Sequence, residues 1–215
     1  MKNIAIYGAG GLGREVACII KKINCIKQTW NVVGFFDDGL DIGDKNEYGT
    51  ILGGINQLND WKGDLSIVIA IGTPNVVEKI INNITKKDID YPNIVSPDLK
   101  FMDENNYTIG KGNFINLGCL LSCNTHIGNF NTIGAFSSIG HDAVIGDFNT
   151  IMPSVQICGC VKVGRQNFFG ISSIVLQQNG VGNNNTLGCG SVLMKSINDD
   201  ETFFGNPARG IIKKK

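Results

Sequence analysis

Ile127-Gly128-Asn129-Phe130-Asn131-Thr132-Ile133-Gly134-Ala135-Phe136-Ser137-Ser138-Ile139-Gly140-His141-Asp142-Ala143-Val144-Ile145-Gly146 carries isoleucine at every sixth position, four times in succession. Counting outward in sixes gives Ile109, Ile115, Leu121, Ile127, Ile133, Ile139, Ile145, Ile151, Ile157, Val163, Phe169, Val175, Val181, Leu187 and Leu193. All fifteen are apolar, fourteen aliphatic and one Phe. Apolar residues make up only 42% of the chain, so an unbroken run of this length is not chance. Glycine often follows directly, as at Gly110, Gly128, Gly140 and Gly164. A small or polar residue sits four places on, as at Asn113, Thr125, Ser137, Ala143, Ser173 and Ser191.

A period of six fits neither an amphipathic helix nor strand alternation. It fits a solenoid of short strands joined by tight corners. The aliphatic and the small residue point inward. The glycine is expected to relieve crowding at corners where φ is positive. A second period of eighteen lies on the first, with asparagine recurring at Asn113, Asn131, Asn149, Asn167 and Asn185. Three sixes make one turn of a triangular coil. The asparagines should then stack at about 4.8 Å, as a ladder that fixes register and does no chemistry. Five coils give a prism roughly 24 Å tall.

The first part reads differently. Asn3-Ile4-Ala5-Ile6-Tyr7-Gly8 is a strand, Gly8-Ala9-Gly10-Gly11-Leu12-Gly13 is a GxGxxG turn, and an amphipathic helix follows to about residue 26. A second strand over 31–36 ends in Asp37-Asp38. A third over 65–72 is followed by a helix near 75–87. Backbone N–H groups at such a turn suit phosphate, and an acid after the second strand suits a ribose or base. About 95 residues supply one half of a dinucleotide fold, which favours a mononucleotide over the NAD of a dehydrogenase. A purely structural α/β domain is the bland alternative. The expected organisation is an α/β Rossmann-like domain over 1–95 and an all-β solenoid with a C-terminal tail over 96–215.

Bulk composition excludes more than it selects. Of 215 residues, 19 are Lys or Arg and 19 are Asp or Glu, so nothing calls for nucleic acid or an anionic membrane. No apolar stretch is long enough to span a bilayer. The Lys213-Lys214-Lys215 run reads as a solvated tail. The seven cysteines match no metal or redox spacing and are expected to be small buried residues in a reducing cytoplasm. No metal is expected.

The hexads resemble the hexapeptide-repeat acyltransferases. With the N-terminal domain, nearly the whole chain resembles the sialic-acid O-acetyltransferase and nucleotide-amino-sugar N-acetyltransferase type. The resemblance implies a left-handed winding, a homotrimer, and acyl-CoA in the groove between neighbouring prisms. It implies N-acetylation of a nucleotide-linked amino sugar in surface glycan biosynthesis. O-acetylation of a sugar hydroxyl and a non-catalytic binding scaffold are the rival readings. Nucleotide-sugar contacts are implied at Gly10, Gly11, Leu12, Asp37, Asp38 and Gly72, with Leu12 standing where the family often has His. Acetyl-CoA contacts are implied at Thr150, Gly159, Ile171 and Cys189. Phe204-Gly205-Asn206-Pro207-Ala208-Arg209 resembles the family's segment near the CoA end, where Arg209 is a candidate for a CoA phosphate.

Acyl transfer needs a proton acceptor, and only two histidines exist, His126 and His141. Imidazole suits the task near neutral pH, and a neighbouring carboxylate orients it. The family's motif of His followed by an acid matches His141 and Asp142, which implies His141 as the base. His126 lies at a different hexad phase and reads as structural.

Overall fold

The protein is described by a computed structural model, which covers residues 1–211. The lysine run at 213–215 lies outside the described residues. The N-terminal part is a sheet of β1 (Lys2–Tyr7), β2 (Trp30–Phe36), β3 (Lys45–Asn46), β4 (Gly49–Gly53), β5 (Leu65–Ile69) and β6 (Ile89–Asp90), ordered β3-β4-β2-β1-β5-β6. All pairs are parallel except the β3–β4 hairpin. Helices α1 (Gly11–Ile26), α2 (Ile55–Asn59) and α3 (Pro74–Asn83) complete it. β3, β4 and α2 carry no periodic apolar signal and are absent from the sequence reading.

The hexads wind a parallel β-solenoid with three faces. The first face holds the strands containing Ile115, Ile133, Ile151, Phe169 and Leu187, the second those containing Leu121, Ile139, Ile157, Val175 and Leu193, and the third Ile109, Ile127, Ile145, Val163 and Val181. The inward aliphatics form one continuous core, with Ala143 and Cys119 at the small inward position. Burying each large one stabilises the coil by roughly 1.5–3 kcal/mol. The asparagine ladder forms as expected. Each Oδ1 accepts the backbone N–H and Nδ2 of the asparagine one coil on, at 2.8–2.9 and 3.0–3.1 Å through Asn167. Asn93 starts the ladder and Asn185 ends it, with Nδ2 of Asn185 buried and unpartnered.

Three expectations are corrected. The solenoid is taller than five coils. It begins at Ile94–Val95, which pairs with Phe114–Ile115, and runs to Thr202–Phe204, which pairs with Thr186–Leu187. These seven parallel levels on the first face span about 29 Å. The first coil has two extra residues (Phe101 faces Leu121) and the last has two fewer (Leu187 faces Phe203). Both break the count of six.

The glycines after each aliphatic are not the left-handed residues. Positive φ falls two places later, at Gly112, Gly118, Asn124, Phe130, Phe136, Asp142, Phe148, Ser154, Cys160, Gln166, Ser172, Gln178, Asn184 and Gly190. Gly140 is required by stacking instead, since a Cβ there would lie 2.6 Å from the Cys158 carbonyl carbon and the Gly159 nitrogen.

The cysteines are free, but only Cys119 is buried, while Cys25, Cys123 and Cys189 are exposed and Cys18, Cys158 and Cys160 half-buried. Cys123, Cys158, Cys160 and Cys189 fall at outward hexad phases, which overrides their apolar preference.

The two parts are packed, not linked. α1 shares a core with Ile94 and Phe114, and the opposite side of the sheet shares one with Phe130 and Phe148. Glu78 of α3 pairs with Arg165 and accepts from Gln166 Nε2 at 2.6 Å. Arg165 also lies over the Phe148 ring. Glu15 of α1 accepts from Asn116 Nδ2 at 2.9 Å.

Candidate functional site

His141 and Asp142 sit at the corner between the second and third faces. Asp142 occupies the left-handed position, with φ 58°. A left-handed L-residue costs on the order of 1–2 kcal/mol and is held here by the backbone. The Asp142 N–H donates to the Cys123 carbonyl at 3.1 Å, and Cys160 N–H donates to the His141 carbonyl at 2.8 Å. The bend brings adjacent side chains together, with His141 Nδ1 2.7 Å from Asp142 Oδ2. Asn124, one coil away in the same left-handed column, donates from Nδ2 to Asp142 Oδ1 at 2.7 Å. The Asn124 hydrogen bond first, and His141 second, hold the Asp142 carboxyl below the usual carboxylate range. An ionised Asp142 fixes the proton on Nδ1 and leaves Nε2 free to accept one. Both side chains are about half exposed.

Gly159 forms the floor of this corner. A Cβ there would lie 2.6 Å from His141 Cε1 and 2.9 Å from Cδ2, and closer still to Nε2. The imidazole thus rests on a bare Cα. Cys160, the next residue, turns its Sγ to 4.0 Å from Asp142 Oδ2. Asn124 and Cys160 were not singled out from sequence. Their distance of eighteen residues from Asp142 on either side was the available signal.

The turn residues separate into two kinds. Gly8, with φ 105°, and Gly13 are required by packing: a Cβ on Gly8 would meet the Ala70 carbonyl oxygen at 2.6 Å, and one on Gly13 would overlap the Gly8 carbonyl oxygen. Gly10, Gly11 and Gly72 have nothing within 4 Å of a built Cβ, so their backbones face open space. No side chain caps α1 at Gly10, leaving the first amides of the helix for an anion. Gly11, Leu12 and Gly72 line a cavity of about 280 Å³ against Phe114, Thr150 and Met152 of the solenoid. Leu12 makes its wall apolar where a histidine would have made it polar.

Asp37 and Asp38 are not in that lining. Asp37 Oδ2 accepts from Ala9 N–H at 2.9 Å and its Oδ1 from Gly39 N–H at 2.9 Å. Asp38 accepts the Tyr7 hydroxyl at 2.5 Å and Ile55 N–H at 2.8 Å. Burial first, and the Asp38 hydrogen bond second, push the Tyr7 phenol up. The two acids brace the glycine turn and the start of α2.

The four acetyl-CoA candidates do not converge within one chain. Thr150 is buried on the first face at the cavity, and Gly159 lies under His141. Exposed Ile171 and Cys189 stack one coil apart at the corner between the first and second faces. His141 is absent from the cavity lining and stands one corner away. Arg209 is exposed in a short antiparallel pairing with Phe204. His126 lies on the third face, its Nδ1 2.8 Å from the Thr108 hydroxyl. No helix among the described residues is long and apolar enough to cross a membrane.

The PglD N-terminal domain family matches residues 3–84. WeeI from Acinetobacter baumannii AYE is similar at 26% identity and a TM-score of 0.87, over 98% of this chain and 100% of that one. The acetyltransferase domain of PglB from Neisseria gonorrhoeae FA1090, in complex with acetyl coenzyme A, is similar in fold at 24% identity and a TM-score of 0.88, over 98% and 99%. PerB from Caulobacter crescentus, in complex with CoA and GDP-perosamine, is similar in fold at 20% identity and 0.84, over 98% of each chain. The acyl-(acyl-carrier-protein)–UDP-N-acetylglucosamine O-acyltransferase of Stutzerimonas stutzeri (strain A1501) is 31% identical over 121 residues, which is 53% of this chain and 47% of that protein. The chain therefore spans about half the length of the curated relatives it matches. The likeness also gives the hand of the winding, a left-handed parallel β-helix. The chain thus carries a PglD-type N-terminal domain packed on a left-handed prism of hexads, an arrangement it shares along nearly its whole length with WeeI and with the acetyltransferase domain of PglB.

Proposed function

We infer that the protein transfers an acetyl group from acetyl-CoA to the amine of a nucleotide-linked amino sugar, with His141 as general base. The carrying observation is the His141–Asp142 pair, 2.7 Å apart, with its imidazole on the bare Cα of Gly159. In this reading the sugar amine attacks the thioester carbonyl carbon while Nε2 takes the amine proton. Collapse of the tetrahedral intermediate breaks the C–S bond. The imidazolium then returns its proton to the departing thiolate. Asp142 stabilises the imidazolium without itself taking the proton.

The open backbones of Gly10, Gly11 and Gly72, with Leu12 beside them, hold the nucleotide end. Asp37 and Asp38 shape that turn and bind through what their carboxylates retain. Acetyl-CoA lies between prisms along Thr150, Gly159, Ile171 and Cys189. A homotrimer is part of the proposal. The cavity and His141 occupy different corners of one prism, so a second copy has to bring a base to the cavity. The complexes named for PglB and PerB, with acetyl coenzyme A and with CoA and GDP-perosamine, support this choice of substrates. O-acetylation is the second reading, favoured by the curated O-acyltransferase relative.

Thiol release from acetyl-CoA, measured against UDP- and GDP-linked 4-amino sugars and against sugars offering only hydroxyls, separates the two. His141→Ala should abolish transfer while CoA still binds. Near-normal turnover in that variant removes His141 from the mechanism.

A further inference from the structure

Three side chains at the proposed catalytic corner, the dyad and a thiol that acyl transfer does not use, also form a donor set for a cation. His141, Asp142 and Cys160 each offer one ligand atom within 4.8 Å of the other two, an imidazole nitrogen, a carboxylate oxygen and a thiol sulfur. Asp142 and Cys160 are stacked one coil apart at equivalent left-handed positions, with φ 58° and 60°. Their backbones are locked by Asp142 N–H to Cys123 O, Cys160 N–H to His141 O, and Gln178 N–H to Gly159 O at 3.0 Å. The backbone under the site is therefore a rigid ladder, and the three donor side chains already lie together at one corner of it.

We propose that this corner is an inhibitory site for a thiophilic divalent cation, zinc above all. Thiolate plus imidazole selects zinc over magnesium or calcium, and three protein donors leave a fourth position for water. Binding requires Cys160 to lose its thiol proton to solvent. It also requires His141 to bind through Nδ1, so that the proton held there moves to Nε2. The nitrogen that would accept a proton from the substrate then already carries one, and the metal draws away the carboxylate that supports the dyad. One proton leaves per ion bound, and nothing is oxidised or reduced. Inhibition rests on His141 being the base, whereas binding does not.

The experiment therefore has two arms on the full-length protein, comparing wild type with Cys160→Ser and Cys160→Ala. In the first, Co²⁺ is titrated and followed by its sulfur-to-metal charge-transfer absorption, which needs no turnover. Wild type should show the band, and both variants should lose it although Cys25, Cys123 and Cys189 remain. In the second, Zn²⁺ is titrated against acetyl transfer. Wild type should be inhibited reversibly by chelator. The variants should keep basal activity and need at least tenfold more zinc. A band that survives both substitutions overturns the site. A band specific to Cys160 with transfer unaffected by bound metal overturns the inhibitory role, and loss of turnover in His141→Ala is read separately.

Discussion

Replacing Gly159 with alanine tests whether the imidazole is positioned by the bare Cα beneath it. The new Cβ would stand 2.6 Å from His141 Cε1, whereas non-bonded carbons rest at about 3.5 Å or more. The ring must then move by about 1 Å. The three atoms nearest that Cβ all belong to the half-exposed His141 side chain, so the ring can swing outward and the coil need not deform. Gly159 does not have positive φ, so alanine adds no left-handed strain. Stability should be nearly unchanged. Activity should not be, because a 1 Å misplacement of a reacting group costs on the order of 100-fold, equivalent to about 2.7 kcal/mol of barrier. Steady-state kinetics should show the loss in kcat, with the melting temperature and the KM for acetyl-CoA close to wild type. In a His141→Ala background the same substitution should cost almost nothing more, since both changes act through one ring. A loss confined to the KM for acetyl-CoA would refute this reasoning and make Gly159 a cofactor contact alone. An undiminished kcat would refute it outright.

Asn149→Ala should remove the middle of the buried ladder. It leaves the Asn167 N–H and the Gly164 carbonyl without their partners, at roughly 1–3 kcal/mol for each orphaned group, and thermal denaturation should show a fall on the order of 10 °C. Asn124→Ala should raise the Asp142 carboxyl, because it deletes the largest cause of its depression. The sign follows from linkage: a depressed carboxyl contributes above its unfolded pKa, near about 3.9, and loses that contribution as pH falls through the lower folded value. The variant should therefore lose its dyad at a higher pH than wild type, seen as an upward shift of the Asp142 carboxyl in an NMR titration. An unmoved titration assigns the depression elsewhere. Gly13→Ala should lower stability sharply through its clash with the Gly8 carbonyl, while Gly10→Ala should fold normally and raise the KM for the nucleotide sugar, since only the former site is closed.

What the sequence disclosed depended on whether a signal repeated. The prism was legible because Ile109 through Leu193 each pack on the same core, and one rule applied fifteen times outweighs any local exception. Its ends were not, since Val95, Phe101 and Ile109 are spaced six and then eight apart, and two extra residues move every later side chain out of phase. The glycines show a subtler failure. Their recurrence was visible, but recurrence does not tell a residue that must turn from one that must be thin. Gly140 is thin because Cys158 and Gly159 lie against it, while the turning is done two places on by Asp142, whose carboxylate the proposed chemistry needs. The same phase argument would have placed the cysteines. Cys119 is four past Ile115 and lies inside, whereas Cys160 is three past Ile157 and belongs with Asn124 and Asp142 on the outward column. Composition alone sends a cysteine inward, but in a solenoid the phase decides. The cavity between Leu12, Gly72 and Thr150 escapes both kinds of reading, because it exists only where α1 docks on the first face, and no period connects residue 12 to residue 150. For the same reason a single chain leaves His141 and that cavity on different corners. If light scattering found an active monomer, the proposal that a second copy supplies the base would fail even with every other contact intact.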